Sequence, residues 1–453
     1  MQAHFFKKDV FPLLKLAIPL IITGSLQSSV FFFQTLFLAR LGEESLAAGA
    51  LVSWLFATLV VLLFGILSSI NVLISHEYGA KNHTVIAKII RDGILLAIML
   101  AIPAFILFWN LSPVLLLLGQ DPTLIPIAQS YLHALAWGLL ANFITIALFE
   151  FVIGLGHTQV MLFFNLLSIA LSIFWSYGLI FGAFGLPALG IAGSGWGLTI
   201  SNWITCVCMG TYLLRHKNYN IYFQHIFRLE KTRFIKELIR IGLPMGTMFC
   251  MEVGFFFVLS LFMGYLGSEY LAANQITLQY MTALVGGFIF SIAQAVTVRM
   301  GHLLGAQEIH AARRVNMVGL WFSGVVMCIV AIGYLFFPDF LIGLDLDTKN
   351  PKNFVLVNLI KEFLIVCVFF QFFEALRISL FGALRALKDT KFTLITSVIA
   401  YWLIALPSGY ALATLLKFGG VGLWWGMTLG AVCGAAILYW RFRVVFPRFI
   451  QNA

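Results

Sequence analysis

Three of the 18 acidic residues, Glu150, Glu252 and Glu374, lie inside long apolar stretches. A charged carboxylate at the centre of a bilayer costs about 2.5–3.5 kcal/mol, so each of these residues is a functional hypothesis by default. Glu252 lies about 11 residues into its stretch and Glu374 about 12 residues from the end of its own, roughly 16 and 18 Å at the helical rise. Both carboxylates are therefore predicted at one depth, whereas Glu150 lies near a helix end.

A pair of carboxylates in apolar surroundings binds cations competitively. Removal from water disfavours the charged form of Glu252 and Glu374, and a second carboxylate nearby adds to this effect. The pair could take up a proton, a sodium ion or an organic cation, each displacing the others. The alternative is a structural hydrogen-bonded pair between helices. Sodium at Glu252 and Glu374 is the only metal considered, and no structural metal site is predicted.

Arg377 follows Glu374 by three residues. On a helix, residues three apart share a face. An ion pair would hold Glu374 charged and weaken any role of this residue as a proton carrier. Alternatively, Arg377 extends its charged end towards the loop that follows.

A polar group follows Glu252 on the next predicted helix. Asn274, Gln275, Gln279 and Tyr280 could complete an ion shell or bind substrate, and Gln275 and Gln279 are one helical turn apart. Such side chains equally hold membrane helices together, so both interpretations stay open.

Pro19 and Pro244 lie within predicted helices. Proline removes a backbone hydrogen bond and bends a helix. Two symmetrically placed prolines predict paired bends that flex in function, or two static kinks.

The composition excludes most classes of protein. Hydrophobic residues make up 61% of the 453 residues, charged residues 10%, and the mean hydropathy is +0.99. A soluble domain is roughly 45–50% apolar and 25% charged. The net charge of +10 comes from short basic clusters between apolar runs, so we expect no nucleic-acid partner. The chain is predicted to be a polytopic membrane protein.

The apolar runs are long enough for helices that cross a bilayer, which need about 20 residues. They are too long and too uniformly apolar for the strands of a barrel. Twelve runs are predicted, near residues 16–38, 46–74, 94–118, 124–153, 159–184, 190–214, 241–265, 270–299, 315–340, 359–386, 391–416 and 420–440.

The distribution of Lys and Arg predicts the orientation. With a cytoplasmic N-terminus, the basic residues fall on the cytoplasmic side, as the positive-inside rule requires. The exceptions are Arg40, Lys349, Lys352, Lys361 and Lys417. We therefore predict a multi-pass protein of the bacterial inner (plasma) membrane with both termini in the cytoplasm.

The two halves of the chain resemble each other. Residues 17–20 (AIPL) match 242–245 (GLPM), and 41–48 (LGEESLAA) match 266–273 (LGSEYLAA) at the same separation. This repeat predicts two six-helix bundles related by a pseudo-twofold axis along the membrane normal, with a substrate path between them. The predicted domains are an N-terminal lobe (1–214), a cytoplasmic linker (215–233) and a C-terminal lobe (234–453).

Several of these segments resemble the multidrug and toxic compound extrusion (MATE) family, especially its bacterial NorM-like branch. They are Ile241–Pro244 with Glu252, Ala273–Ile276, Thr297–Gly301, Gln371–Glu374, Gly382–Arg385, Lys388–Thr390, Gly156–Thr158 and Leu189–Gly193. Their order and spacing cover nearly the whole chain. The resemblance implies a twelve-helix, two-lobe antiporter that exports organic cations in exchange for protons or sodium ions by alternating access.

The resemblance also identifies departures in the first half. Glu252 and Glu374 match the family's acidic positions, but Gln34 stands where many relatives carry an aspartate. By internal symmetry Glu252 corresponds to Gln27, and aligning Thr390 with Thr158 places Glu374 on Asn142. Amides do not titrate. We therefore predict that ion coupling resides in the C-terminal lobe.

The alternative function on the same fold is a flippase of lipid-linked intermediates. A flippase needs cavity-facing cations for phosphates, and Arg377 is the one candidate. The sequence shows neither a nucleophile–base constellation nor a phosphate-binding loop, so no enzymatic activity is expected. The expected partners are small organic cations and membrane lipids, the expected assembly is a monomer, and no cofactor is expected beyond H+ or Na+ as the coupling ion.

Overall fold

The computed structural model describes residues 10–117, 122–224, 232–348 and 350–451. Within these ranges, twelve helices are long and apolar enough to cross a bilayer, which confirms the predicted all-α membrane fold. They are α1 Phe11–Ala39, α2 Glu43–Gly79, α3 His83–Trp109, α4 Leu124–Gly154, α5 Thr158–Phe181, α6 Ile191–Arg215, α7 Ile235–Leu266, α8 Ser268–Gly305, α9 Ile309–Phe336, α10 Pro351–Ala386, α11 Thr390–Thr414 and α12 Gly419–Pro447.

Each predicted apolar run corresponds to one of these helices, but several helices start before the run does. The seventh run was predicted from residue 241, whereas α7 begins at Ile235. The reason is that helical hydrogen bonding does not stop at the edge of the hydrocarbon, so polar turns such as 235–240 continue the same helix. Shorter helices lie at Ser112–Leu117, Lys217–Phe223 and Pro338–Ile342.

The chain forms two compact units. The first unit comprises the described residues of Ile22–Gly246, and the second unit comprises those from Thr247 onwards together with those up to Ile21. The division therefore runs through α1 and α7, and not through the predicted linker. The start of α7 belongs to the first unit because a Cβ at Gly242 would lie 2.2 Å from the carbonyl oxygen of Ile66 in α2, a backbone approach that only glycine permits.

The predicted linker contains the short helix Lys217–Phe223, while its residues 225–231 lie outside the described ranges. Tyr219 and Tyr222 are buried, and their hydroxyls lie 2.8 Å from Nδ1 of His157 and of His83. Burial raises the pKa of Tyr219 to about 12, so this phenol stays protonated at neutral pH and can donate to the imidazole. This part of the linker is thus a packed element of the first unit.

The internal repeat recurs as equivalent contacts in the two units. Asn71 of α2 donates a hydrogen bond to the carboxylate of Glu150 in α4. Aligning Thr390 with Thr158 also places Glu150 on Gly382, and in the second unit the Thr297 hydroxyl of α8 donates to the Gly382 carbonyl of α10 at 2.8 Å. Each unit therefore joins its second and fourth helices at the same point. Glu150, predicted near a helix end, is 1% exposed.

Gly382 permits the close approach of α8 and α10. A Cβ at this position would lie 2.4 Å from the carbonyl oxygen of Ala293. Gly382→Ala is expected to lower the free energy of unfolding by about 1–3 kcal/mol, because one of the two backbones must move. The measurement is unfolding of the purified protein in detergent. Gly333→Ala in α9 is the control, since nothing lies within 4 Å of its added Cβ, and an equal loss in both variants would contradict the prediction.

Candidate functional site

Three ionisable side chains meet inside the second unit. Glu252 lies midway along α7, while Glu374 and Arg377 lie one turn apart on α10. The Arg377 side chain is 2% exposed, Glu374 7% and Glu252 18%. The sequence predicted that both acids lie at the same depth. The structure brings them together around Arg377, which forms the ion pair with Glu374 and does not extend towards the loop that follows.

Arg377 holds both carboxylates at once. Its Nε donates to Oε2 of Glu374 at 2.8 Å, and its Nη2 donates to Oε1 of the same residue at 2.7 Å. This parallel pair is the strong, geometrically specific way in which a guanidinium binds a carboxylate. The same Nη2 lies 2.9 Å from Oε1 of Glu252. The two acids are therefore joined by one shared cation.

Helix α11 completes the cluster with two neutral groups. The Ser397 hydroxyl accepts from Nη1 of Arg377 at 3.0 Å and donates to Oε1 of Glu252 at 3.1 Å. Tyr401 donates its hydroxyl to Oε2 of Glu374 at 2.7 Å, and the guanidinium carbon lies 5.1 Å from the centre of its ring. Tyr401 lies in a π-helical turn, Ile399–Ala405, and such turns frequently occur at functional sites.

The two carboxylates differ in how fully they are bonded. Both oxygens of Glu374 accept charge-assisted hydrogen bonds, and Oε2 accepts a further one from Tyr401. Within the described part of the chain, Oε1 of Glu252 is bonded but Oε2 accepts no hydrogen bond. Glu252 is also the most exposed of the three side chains. An incoming cation or proton can therefore reach Glu252 without breaking an existing bond.

The hydrogen bond from Tyr401 to Glu374 provides a test of this geometry. Tyr401→Phe keeps the ring but removes the donor to Glu374, and a hydrogen bond to a charged group contributes about 1.5–3 kcal/mol. We expect a loss of that size in the free energy of unfolding in detergent. Tyr410→Phe, on the same helix but half-exposed, is the control. A Tyr401→Phe protein as stable as this control would show that the bond contributes nothing.

A comparison with models of known protein families shows to which family the chain belongs. The MatE family model matches residues 19–178 and 244–411, one match in each half of the chain. The chain belongs to the MatE family. The two matches also agree with the internal repeat, since they begin at Pro19 and at Pro244, which the repeat aligns with each other.

Two multidrug resistance proteins match the chain along nearly its full length. It is 32% identical to a "Probable multidrug resistance protein NorM" of Pseudomonas putida, over 97% of this chain and 96% of that protein. It is 33% identical to the "Multidrug resistance protein NorM" of Burkholderia vietnamiensis, over 95% and 93%. The crystal structure of a eukaryotic MATE transporter superposes with a TM-score of 0.84 at 20% identity and covers 99% of both chains. This likeness shows the same fold.

The first unit has a neutral counterpart of the charged cluster. In the predicted alignment Glu252 corresponds to Gln27 and Ser397 to Asn165. The structure joins these residues too, since Nδ2 of Asn165 donates to Oε1 of Gln27 at 3.4 Å. The same pair of helices thus meets in both units, but its groups are charged in the second unit only. This supports the predicted asymmetry between the lobes.

Both the nitrogen and the oxygen of the Gln34 amide form hydrogen bonds. Its Nε2 donates to Ser176 at 2.8 Å, and its Oε1 accepts from Ser194. Gln34 also lines a cleft of about 310 Å³ with Ser53 and Trp54 of α2. At Gln34 the wall of this cleft is therefore polar but cannot be ionised.

The polar residues of α8 have partners away from the charged cluster. Asn274 donates to Ser260 at 3.4 Å, and Tyr280 donates to the Leu341 carbonyl at 2.8 Å and to Asp345. These three bonds connect α8 to neighbouring segments, which is the structural alternative left open by the sequence. Gln275 and Gln279 are exposed on α8, so their predicted role in binding stays a prediction.

Pro19 and Pro244 are buried within α1 and α7, and both helices continue across them. Their predicted role in bending during transport stays a prediction.

The sequence did not identify Ser397, Tyr401 or Gly434 as part of the site. Serine, tyrosine and glycine are common in membrane helices, so their type carried little signal. A Cβ at Gly434 of α12 would lie 3.0 Å from Cδ of Arg377, so this glycine leaves room for the arginine stem. For Ser397, the repeat held a usable clue, because its counterpart Asn165 is also polar.

Proposed function

We propose that the chain is a secondary antiporter that exports organic cations, including drugs, in exchange for protons or sodium ions. The observation that carries this proposal is the buried cluster of Glu252, Glu374 and Arg377, whose formal charge is −1 when all three groups are ionised. Such a site attracts a cation of any kind and cannot hold two kinds at once. The names of the NorM relatives, which are multidrug resistance proteins, support the choice of cargo.

The proposed cycle depends on this mutual exclusion. The cluster takes up an organic cation on the cytoplasmic side, and an ion entering from outside displaces it outwards. A ligand shifts two conformations only by its different affinity for them. Competition at Glu252 supplies that difference, and the ion gradient supplies the energy, because one charge crossing 100 mV releases about 2.3 kcal/mol.

A lipid flippase is less well supported by the site. Arg377, the one cation that the sequence offered for a phosphate, already binds both Glu374 and Glu252 and is 2% exposed. A phosphate would have to displace two carboxylates from the guanidinium. The cluster thus favours a cationic over an anionic cargo.

The proposed location is the bacterial inner membrane, with both termini in the cytoplasm and the protein acting as a monomer. The distribution of Lys and Arg supports this orientation. Fluorescent fusions at the C-terminus, which mature in the cytoplasm, are expected to fluoresce. A fusion that is exported and dark would reverse the orientation.

The deciding experiment measures dye transport by the purified protein in lipid vesicles. Proton and sodium gradients are imposed separately, with ethidium as the organic cation. We expect ethidium to move against its own gradient under at least one ion gradient. Movement only down its own gradient, at one rate whatever ion gradient is imposed, would contradict an antiporter and indicate a channel.

A further inference from the structure

Arg377 is a permanent positive charge inside a site that binds positive charges. We propose that Arg377 is a built-in cation that sets the charge of the site, so that one singly charged organic cation exchanges for one proton or one sodium ion. This inference rests on the proposed antiport. It adds the charge class of the cargo and the number of ions per cycle.

The first step is that Arg377 stays charged and stays in place. A guanidinium is not deprotonated in proteins. Arg377 is 2% exposed and contacts Glu374, Glu252 and Ser397 at 2.7–3.0 Å. The missing side chain of Gly434 provides space for its stem. It is therefore a fixed part of the site and not an exchangeable ligand.

The second step is a count of charge. When both carboxylates are ionised, they and the guanidinium leave one net negative charge in the cluster. One bound proton, one sodium ion or one singly charged organic cation makes the cluster neutral. A second monovalent ion, or a dication, would leave an unpaired positive charge in a buried site. An uncompensated buried charge is strongly unfavourable.

The third step identifies the group that exchanges. Glu374 is bonded at both oxygens, twice to Arg377 and once to Tyr401. Glu252 has an oxygen that accepts no hydrogen bond among the described residues, and its side chain is 18% exposed. We therefore assign the exchanging cation to Glu252 and the role of a fixed counter-charge to the Arg377–Glu374 pair.

The consequence is that exchange of a monocation moves no net charge across the membrane. One positive charge leaves for each one that enters. The membrane potential then has no effect on the final dye gradient, and only the chemical gradient of the ion drives transport. If two ions entered per monocation, each 100 mV would change the dye ratio by about 50-fold, because 2.3 kcal/mol per charge corresponds to that factor.

The test uses the full chain in vesicles under one fixed ion gradient, with and without an imposed potential of about 100 mV. Ethidium, a monocation, is compared with propidium, a dication with the same ring system. We expect the ethidium ratio to be unchanged by the potential, and propidium to be transported at least about 10-fold more slowly. A roughly 50-fold effect of the potential on ethidium, or equal rates for the two dyes, overturns the proposal.

Three variants at Arg377 separate its charge from its shape. Arg377→Gln leaves two negative charges, so ethidium exchange should become sensitive to the potential by about 50-fold per 100 mV. Arg377→Lys keeps the charge and should remain insensitive. The double variant Glu374→Gln with Arg377→Gln again has one negative charge and should also remain insensitive.

The variants also keep the proposal falsifiable if one of them does not fold. Should Arg377→Gln fail to fold, the wild type and Arg377→Lys still decide, and a voltage response in either overturns the proposal. An Arg377→Gln protein that folds and stays insensitive also overturns it. Failure of the proposed antiport would differ from all of these outcomes, since the wild type would then not move ethidium against its gradient under any ion gradient.

Discussion

Arg377→Met is expected to lower the free energy of unfolding by about 3–5 kcal/mol, because removing one partner of a buried charge cluster leaves the others uncompensated. Methionine fills a similar length of the side-chain space beside Gly434, so the loss measures charge more than packing. Glu252 and Glu374 would then face each other without the cation that joins them. Unfolding of the purified protein in detergent gives the value.

Adding a cation tests whether the stability lost in Arg377→Met is due to the missing charge. Sodium ions should stabilise Arg377→Met more than the wild type, because an ion that binds the folded state alone raises its stability by mass action. The double variant with Glu374→Gln removes one of the two carboxylates and should recover much of the loss. If neither sodium nor the double variant restored stability, the effect would lie in packing and not in charge.

The membrane helices were the most predictable part of the molecule, because the thickness of the bilayer sets their length and their apolar composition. Each membrane helix needs its own long apolar run, so the twelve helices could be located from composition, although α7 begins at Ile235 and not near 241. The same argument found Glu252, Glu374 and Arg377, because charges stand out in apolar sequence. The spacing of three residues made an Arg377–Glu374 ion pair one of two alternatives, and the structure shows that pair.

Contacts between helices were harder to predict, because they depend on rotation and register that the sequence does not state. The third partner of Arg377 comes from α11, where Ser397 precedes a π-helical turn that changes which side chains face inwards. The polar residues of α8 show the converse. Asn274 and Tyr280 had suitable chemistry, yet their hydrogen bonds go to Ser260, Leu341 and Asp345.

The repeat shows why one lobe rather than both is expected to couple to ions. Gln27 and Asn165 form the same contact in the first unit that Glu252 and Ser397 form in the second. The fold thus uses this contact twice, and only the second copy carries a carboxylate. A polar contact is enough to join the helices, so the charge at Glu252 is in excess of what the structure needs and is available for function.

Glu252→Gln is therefore expected to reduce ion-driven ethidium export by about 100-fold, which corresponds to losing one charge-assisted interaction of up to about 3 kcal/mol. The amide keeps the shape of the side chain and can still accept from Arg377 and Ser397, so the free energy of unfolding should change by only about 1 kcal/mol. Glu269→Gln makes the same chemical change at an exposed position in the first turn of α8 and should leave export unchanged. Export is measured in vesicles at equal amounts of folded protein. If Glu252→Gln exported ethidium as well as Glu269→Gln does, the carboxylate of Glu252 would not be the group at which cargo and ion compete, because an amide can neither be protonated nor neutralise a cation.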